Sequence, residues 1–189
     1  TNLEVIDTMA KKDPLTHCYN RFYFENYLQS LIRESNEHNT KKKFCIMMLD
    51  LDKFKHVNDY YGHHFGDLLL LMFSERIKMI VDADKQCFAR IGGDELIIIF
   101  KNITTKKKYI EMAKEIVSYS KDPYMIEKKK IQCSTSIGIS FCPAAGKNYE
   151  DIMRNTDFAL YQAKESKEHY KKYTNELEAE LIEKNKKEK

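Results

Sequence analysis

A chain of 189 residues is long enough to bury one sizeable core. Its 32 basic and 29 acidic residues leave a formal charge of +3, too balanced to argue for nucleic acid or an anionic membrane as a partner. No apolar stretch reaches the roughly 20 residues that span a bilayer, and no signal peptide opens the chain, so these residues read as cytoplasmic.

Leu3, Ile6 and Met9 recur at near-helical spacing, which predicts a short N-terminal helix or linker over residues 1–12, broken at Asp13-Pro14. A second helix follows, with Phe22, Tyr23, Tyr27 and Leu31 as its buried stripe, and the polar run ESNEHNTKKK ends it. FCIMMLD, residues 44–50, is continuously apolar up to its terminal acid and predicts a central strand covered on both faces. From Asp67 onward, Leu70, Phe73, Ile77 and Ile80 mark an amphipathic helix.

QCFARI, then Gly92-Gly93, then DELIIIF predicts a hairpin closed by a primed turn, whose central residues need positive φ. Tyr109, Met112, Ala113, Ile116 and Val117 line a further helix, and IQCSTSIGISF alternates as one long strand over 131–141. Residues 149–165 form another helix, with Ile152, Met153, Thr156, Ala159, Leu160 and Ala163 facing the core. Residues 168–189 read as a charged helix with a thin stripe of Leu177, Leu181 and Ile182, a connector rather than part of the body. Cys18, Cys45, Cys87, Cys133 and Cys142 are odd in number and lack C-x-x-C spacing, so they read as reduced core residues. The lysine runs 41–43 and 106–108 read as solvated faces. Strands and helices intermixed around a hairpin predict an α+β domain, a mixed sheet with helices packed on it.

Two acidic clusters stand at strand ends: Asp50 after the first strand, and Asp94 with Glu95 in the hairpin turn. If those strands are neighbours, the carboxylates converge at one rim and repel one another unless a cation neutralises them. Hard oxygen donors without histidine or thiolate favour Mg²⁺, which completes its shell with water and substrate phosphates, so the cluster implies a nucleotide. Gly92 and Gly93, lacking Cβ atoms, leave room for a base or phosphate to approach the backbone. A plain hairpin turn with solvated acids is the alternative. Asn58 and Asp67 suit a guanine, whose ring N–H and exocyclic amine are donors that a carboxylate accepts from; a helix N-cap is the competing use of Asp67.

RIGGDEL, with DLDKFKHVNDYYGHHFGD some forty residues upstream, resembles the GGDEF domain of bacterial diguanylate cyclases, and DPLTHCYNRFYF, STSIGIS and TDFALYQAK extend the likeness over residues 13–167. The resemblance implies a palm-like domain with a central, mostly antiparallel five-stranded sheet. It further implies a homodimer that condenses two GTP into cyclic di-GMP with release of two pyrophosphates. By motif position, Asp50, Asp94 and the Leu51 carbonyl would hold Mg²⁺ (or Mn²⁺), assisted by Glu95. Asp94 would accept the proton of the attacking 3′-hydroxyl, and Lys55 would offset phosphate charge. Asn58 and Asp67 match the guanine readers, Phe54 and His63 further substrate contacts, and Lys164 a triphosphate ligand.

Four positions depart from the pattern. Leu96 replaces phenylalanine, and His17-Cys18 replaces the usual Gly-Leu. Glu168 stands where an arginine is common, four residues after Lys164, and Ala83 to Gln86 replaces the Arg-x-x-Asp of product-inhibited members. The expectation is a cyclase, with a GTP-binding regulatory module that controls an attached phosphodiesterase as the competing reading and a sensor or phosphodiesterase domain as the covalently linked partner.

Overall fold

A computed structural model of the protein describes residues 10–37 and 42–187. The N-terminal stripe of Leu3, Ile6 and Met9 lies outside the described residues. Helix α1 (Arg21–Glu37) leads into β1 (Phe44–Leu51), followed by α2 (Phe54–Tyr61) and α3 (His63–Ile80). The hairpin β2 (Cys87–Gly92) and β3 (Glu95–Lys101) comes next, then α4 (Lys106–Ser120) and the short strands β4 (Tyr124–Ile126) and β5 (Lys129–Ile131). Strand β6 (Thr135–Cys142), α5 (Tyr149–Glu165), β7 (Tyr170–Lys172) and α6 (Asn175–Lys187) complete the chain.

Five strands form the central sheet in the order β2-β3-β1-β6-β7, antiparallel except for the β6–β7 pair. The α+β architecture expected from the sequence is therefore present. β1 sits in the middle, and all eight of its residues are buried, as its unbroken apolarity requires. Alternation along the strands sorts the core into two layers. Cys45, Met47, Leu49, Leu96, Ile98, Phe100, Ile137 and Ile139 pack under α3 and α4, while Phe44, Ile46, Met48, Ile97 and Ile99 pack under α1 and α5.

Several local expectations change. Phe22 stands 69% exposed on α1, and the buried positions are Phe24 and Leu28 with Tyr23, Tyr27 and Leu31 half-buried, so the stripe is rotated from the one the aromatic residues suggested. The long strand over 131–141 is two strands, β5 and β6, separated at 132–134. The polar face of β6 is not solvated: a Cβ on Gly138 would lie 2.5 Å from both Leu160 N and Thr156 O, so glycine is what lets α5 lie directly on the sheet. The helix expected over 168–189 begins at Asn175, because Tyr170–Lys172 first adds the fifth strand and Tyr173 is buried beside it. On α6, Leu177 is half-buried and Ile182 is 50% exposed; the Leu181 side chain lies outside the description.

The Gly-Gly hairpin forms without a primed turn. Gly92 pairs with Glu95, neither glycine has a left-handed φ, and the ladder carries a register shift between Arg90 and Gly92. His17, by contrast, holds φ 57°, a left-handed conformation that suits the glycine it replaces in the resemblance and costs a β-carbon-bearing residue roughly 1–2 kcal/mol. All five cysteines are buried and free.

Candidate active site

The carboxylates meet where β1 and β3 end. Asp50 is the cross-strand partner of Glu95, so both side chains leave the same face of the sheet, the one covered by α5. Asp94, one residue before Glu95 in the hairpin turn, lies close enough to the Asp50 carboxyl to raise its pKa. Asp50 is 7% exposed, and burial, then the neighbouring Asp94, push its pKa up to about 7 against the pull of Lys164. Glu95 is also raised, first by burial and then by the charges of Asp50 and Asp157. Lys164, in the last turn of α5, reaches down and pairs with Asp50.

Arg90 fixes the turn that carries Asp94. Its Nε and Nη2 donate to the Gly93 carbonyl at 3.0 and 2.8 Å, and its Nη1 donates to Asp13 Oδ1 at 3.2 Å. Asp13 in turn accepts from the Thr16 amide and hydroxyl, both at 2.8 Å. The loop before α1 is thereby tied to the hairpin. Sequence reading missed this pair because its members lie 77 residues apart.

A second missed cluster lies beside Asp50. Asp52 accepts from the Ser134 and Ser136 hydroxyls, and its Oδ2 lies 3.1 Å from His169 Nδ1. The repeated acid in DLDKF was the available signal, but nothing local points to Ser134, Ser136 or His169.

Asn58 and Asp67 are brought together by two helices rather than by one capped helix. Gly62 takes φ 90° and separates α2 from α3, which starts four residues before Asp67; Asp67 is therefore an exposed helical residue and not an N-cap. A Cβ on Gly66 would fall 1.8 Å from Asn58 Oδ1 and 3.3 Å from Phe54 Cζ, so Gly66 lets Asn58 and Phe54 lie against α3 next to Asp67. Asn58 Oδ1 is buried and has no hydrogen-bond partner. The α2–α3 junction thus sets a buried, unpartnered amide oxygen beside an exposed carboxylate. His63 stands exposed in the first turn of α3. Lys55 is exposed on α2 and forms no ion pair among the described residues.

Gly92 and Gly93 flank this rim with space in front of them: a Cβ on Gly93 would meet nothing within 4 Å, and one on Gly92 only Glu95 Oε2 at 3.7 Å. Among the described residues no group of three or more histidine, cysteine, aspartate or glutamate side chains is arranged as a closed metal centre. Two adjoining carboxylates still fit a hydrated hard cation, since Mg²⁺ is usually held by one or two carboxylates and keeps several waters. Buried Asp50 with half-buried Asp94 beside it, balanced here by a lysine, is the donor chemistry such an ion would take. Beyond Leu51 and Lys164 the rim opens into a cleft of about 1300 Å³ running between α2 and the β4–β5 hairpin.

A family model described as "Diguanylate cyclase, GGDEF domain" matches residues 10–169. The chain is 36% identical over 164 residues to the bifunctional diguanylate cyclase/cyclic di-GMP phosphodiesterase MucR of Pseudomonas aeruginosa, covering 87% of this chain and 23% of that protein. It is 37% identical over 162 residues to the cyclic di-GMP phosphodiesterase PdeR of Escherichia coli, covering 86% and 24%. The chain thus spans about a quarter of the length of these relatives. A solved fragment of TpbB from Pseudomonas aeruginosa comprising only the GGDEF domain superposes with a TM-score of 0.82 at 26% identity, covering 90% of this chain and 99% of that one.

Proposed function

Because the chain belongs to the GGDEF family of diguanylate cyclase domains, we propose that it condenses two molecules of GTP into cyclic di-GMP, each copy in a homodimer presenting one nucleotide. The observation that carries this reading is the β1–β3 register, which sets Asp50 opposite Glu95 with Asp94 against Asp50 and Lys164 above them. A scaffold without chemistry has no use for three acids held at one rim, one of them buried.

Asp50 and Asp94, with the Leu51 carbonyl, would hold Mg²⁺ or Mn²⁺, and Glu95 would support them. The ion, when bound, supplies charge neutralisation at the phosphates and acidifies a coordinated oxygen. Asn58 and Asp67 orient the base, Asn58 through the amide that lacks a protein partner and Asp67 by accepting from guanine's donors. Phe54 and His63 lie on the same two helices and bound the base. Asp94 accepts the proton of the 3′-hydroxyl that attacks the α-phosphorus of the second nucleotide. Lys164 and Lys55 offset the negative charge that accumulates as the pyrophosphate departs. Because each copy offers one hydroxyl and one α-phosphate, ring closure requires two copies face to face.

A regulatory module that binds GTP without turnover is the second reading, favoured by Glu168 at the position of a common arginine and by the phosphodiesterase relatives. Dimerising the domain through a fused coiled coil and incubating it with GTP and Mg²⁺ separates the two. Cyclic di-GMP is the expected product. Saturable GTP binding with no product at high protein concentration would sink the cyclase and leave the module.

A further inference from the structure

We propose that Asp52 and His169 form a clasp that holds the ion-binding end of β1, which makes His169, in the turn between α5 and β7, a positioning residue for a divalent cation it does not ligate. That the ion serves nucleotide condensation rests on the function proposed above; the clasp's hold on the ion's ligands does not.

Asp52 directly follows Leu51, whose carbonyl is assigned to the ion, and stands two residues from Asp50. Each of its polar groups has a partner in the protein. The Asp52 amide donates to the Ser134 carbonyl at 2.8 Å, and its carbonyl accepts from the Cys133 thiol at 3.4 Å. Asp52 Oδ1 accepts from the Ser136 hydroxyl at 2.7 Å, while Oδ2 accepts from the Ser134 hydroxyl and lies 3.1 Å from His169 Nδ1. A carboxylate only accepts, so the ring nitrogen that faces it carries the proton. Asp52 is near the other acids: burial first, then the charges of Asp52, Asp94 and Asp50, push the Cys133 thiol up to about 12. With both oxygens already engaged, however, its carboxylate orients the neighbouring ligands and does not join them.

Backbone strain marks both halves of the clasp. Lys53, the next residue after Asp52, and His169 itself both take φ 59°. Left-handed residues other than glycine persist where the surroundings over-determine them, and they gather at functional sites. Here the determinants are visible. The Lys53 carbonyl accepts from the His56 and Val57 amides at 2.9 and 3.3 Å and so starts α2. The His169 amide donates to Ser166 Oγ at 3.2 Å, and its carbonyl accepts from the Ile137 amide of β6 at 2.8 Å.

The clasp therefore joins three elements that carry the site: the end of β1 with Asp50 and Leu51, the start of α2, and the end of α5 with Lys164. Thr135 closes the same junction from β6, its hydroxyl donating to the Asp50 carbonyl at 2.8 Å. Without the His169 bond, Asp52 Oδ2 keeps only Ser134, which lies between β5 and β6. The β1 end then loses the hold that fixes the Leu51 carbonyl relative to Asp50.

The test compares His169→Gly and His169→Asn with wild type by titrating Mn²⁺ alone and following the bound ion by electron paramagnetic resonance. Glycine adopts the left-handed φ freely but lacks the donor, whereas asparagine tolerates that φ and sets an amide nitrogen where Nδ1 stands. His169→Gly should bind Mn²⁺ about tenfold more weakly, as expected when a partner that orients a metal ligand is removed, and His169→Asn should bind it as wild type does. Should the glycine variant not fold, Ser134→Ala, which removes the other donor to the same oxygen, carries the same expectation. Asn58 and Asp67 are set by the packing of α2 on α3, so the preference for GTP over ATP should hold in every variant while the glycine variant loses kcat. Wild-type Mn²⁺ affinity in His169→Gly, no recovery in His169→Asn, a parallel loss of nucleotide preference, or no Mn²⁺ binding by wild type would each overturn the proposal. Cyclic di-GMP formation with equal Mn²⁺ affinity in all variants would reject the clasp and retain the cyclase. A donor-dependent Mn²⁺ affinity without any cyclic di-GMP would retain the clasp and reject the cyclase.

Discussion

Gly138 is where the fold and the site are coupled most tightly. Alanine there places a Cβ 2.5 Å from Leu160 N and Thr156 O and 2.9 Å from Leu160 Cα, all backbone atoms that no rotamer change can move. β6 is held by β1 on one side and β7 on the other, so α5 must retreat, by about 1 Å to restore ordinary contact distances. Overpacking of this kind costs roughly 1–3 kcal/mol. For a domain of this size that is a fall in Tm of about 4–8 °C at the middle of the range. One turn beyond Leu160, Lys164 moves with the helix and loosens from Asp50. Thermal melting by circular dichroism, with product formation assayed well below the variant's Tm, should show both a lower Tm and slower turnover. A Gly138→Ala protein that melts with wild type would refute the close approach of α5 to the sheet.

Other outcomes follow from the same geometry. Asp94→Asn should reduce cyclic di-GMP below detection while the melting curve stays in place, because Asp94 sits in a turn at the rim; wild-type turnover would remove it from the metal and proton-accepting role. Asp67→Ala should lower the preference for GTP over ATP by roughly 10–100-fold, the range of a hydrogen bond to a charged group, with stability nearly unchanged at this exposed position. Competition binding with the two nucleotides measures it. Burial and Asp94 raise Asp50 to about 7, so in metal-free protein the folded state favours the protonated acid. That contribution is full below the unfolded value near 4 and is lost as pH rises through about 7. Metal-free Asp50→Asn should therefore melt above wild type at pH 8, by the equivalent of a few kcal/mol at most, and show no such gain at pH 4. Melting curves across this range in chelator check it, and an equal difference at both pH values would contradict the assigned shift.

The carboxylate rim was legible because its signals are local. An apolar run ended by Asp50 and a hairpin turn holding Asp94 and Glu95 need only become neighbours, and the β1–β3 register makes them so. Asn58 and Asp67 stood out as a polar pair, but not their geometry: Gly62 at φ 90° separates two helices, and a helix was expected only from Asp67 onward. The contacts that escaped the sequence are long-range and aperiodic. Arg90 finds Asp13 across 77 residues, and Asp52 collects Ser134, Ser136 and His169 only after β6 and β7 are in place. β7 itself is three residues, too short to show alternation, and all three read as part of a charged helix. The cleft had no sequence signal, since its walls come from α2, α4, β5 and the turn after α5.

The most direct test follows both products in one reaction. Dimerised protein supplied with GTP and Mg²⁺ should yield one cyclic di-GMP and two pyrophosphates for every two GTP consumed, and the Asp94→Asn protein should yield neither. Consumption of GTP without cyclic di-GMP, or none at all by a protein that binds GTP, would contradict the assignment of this carboxylate rim to nucleotide condensation.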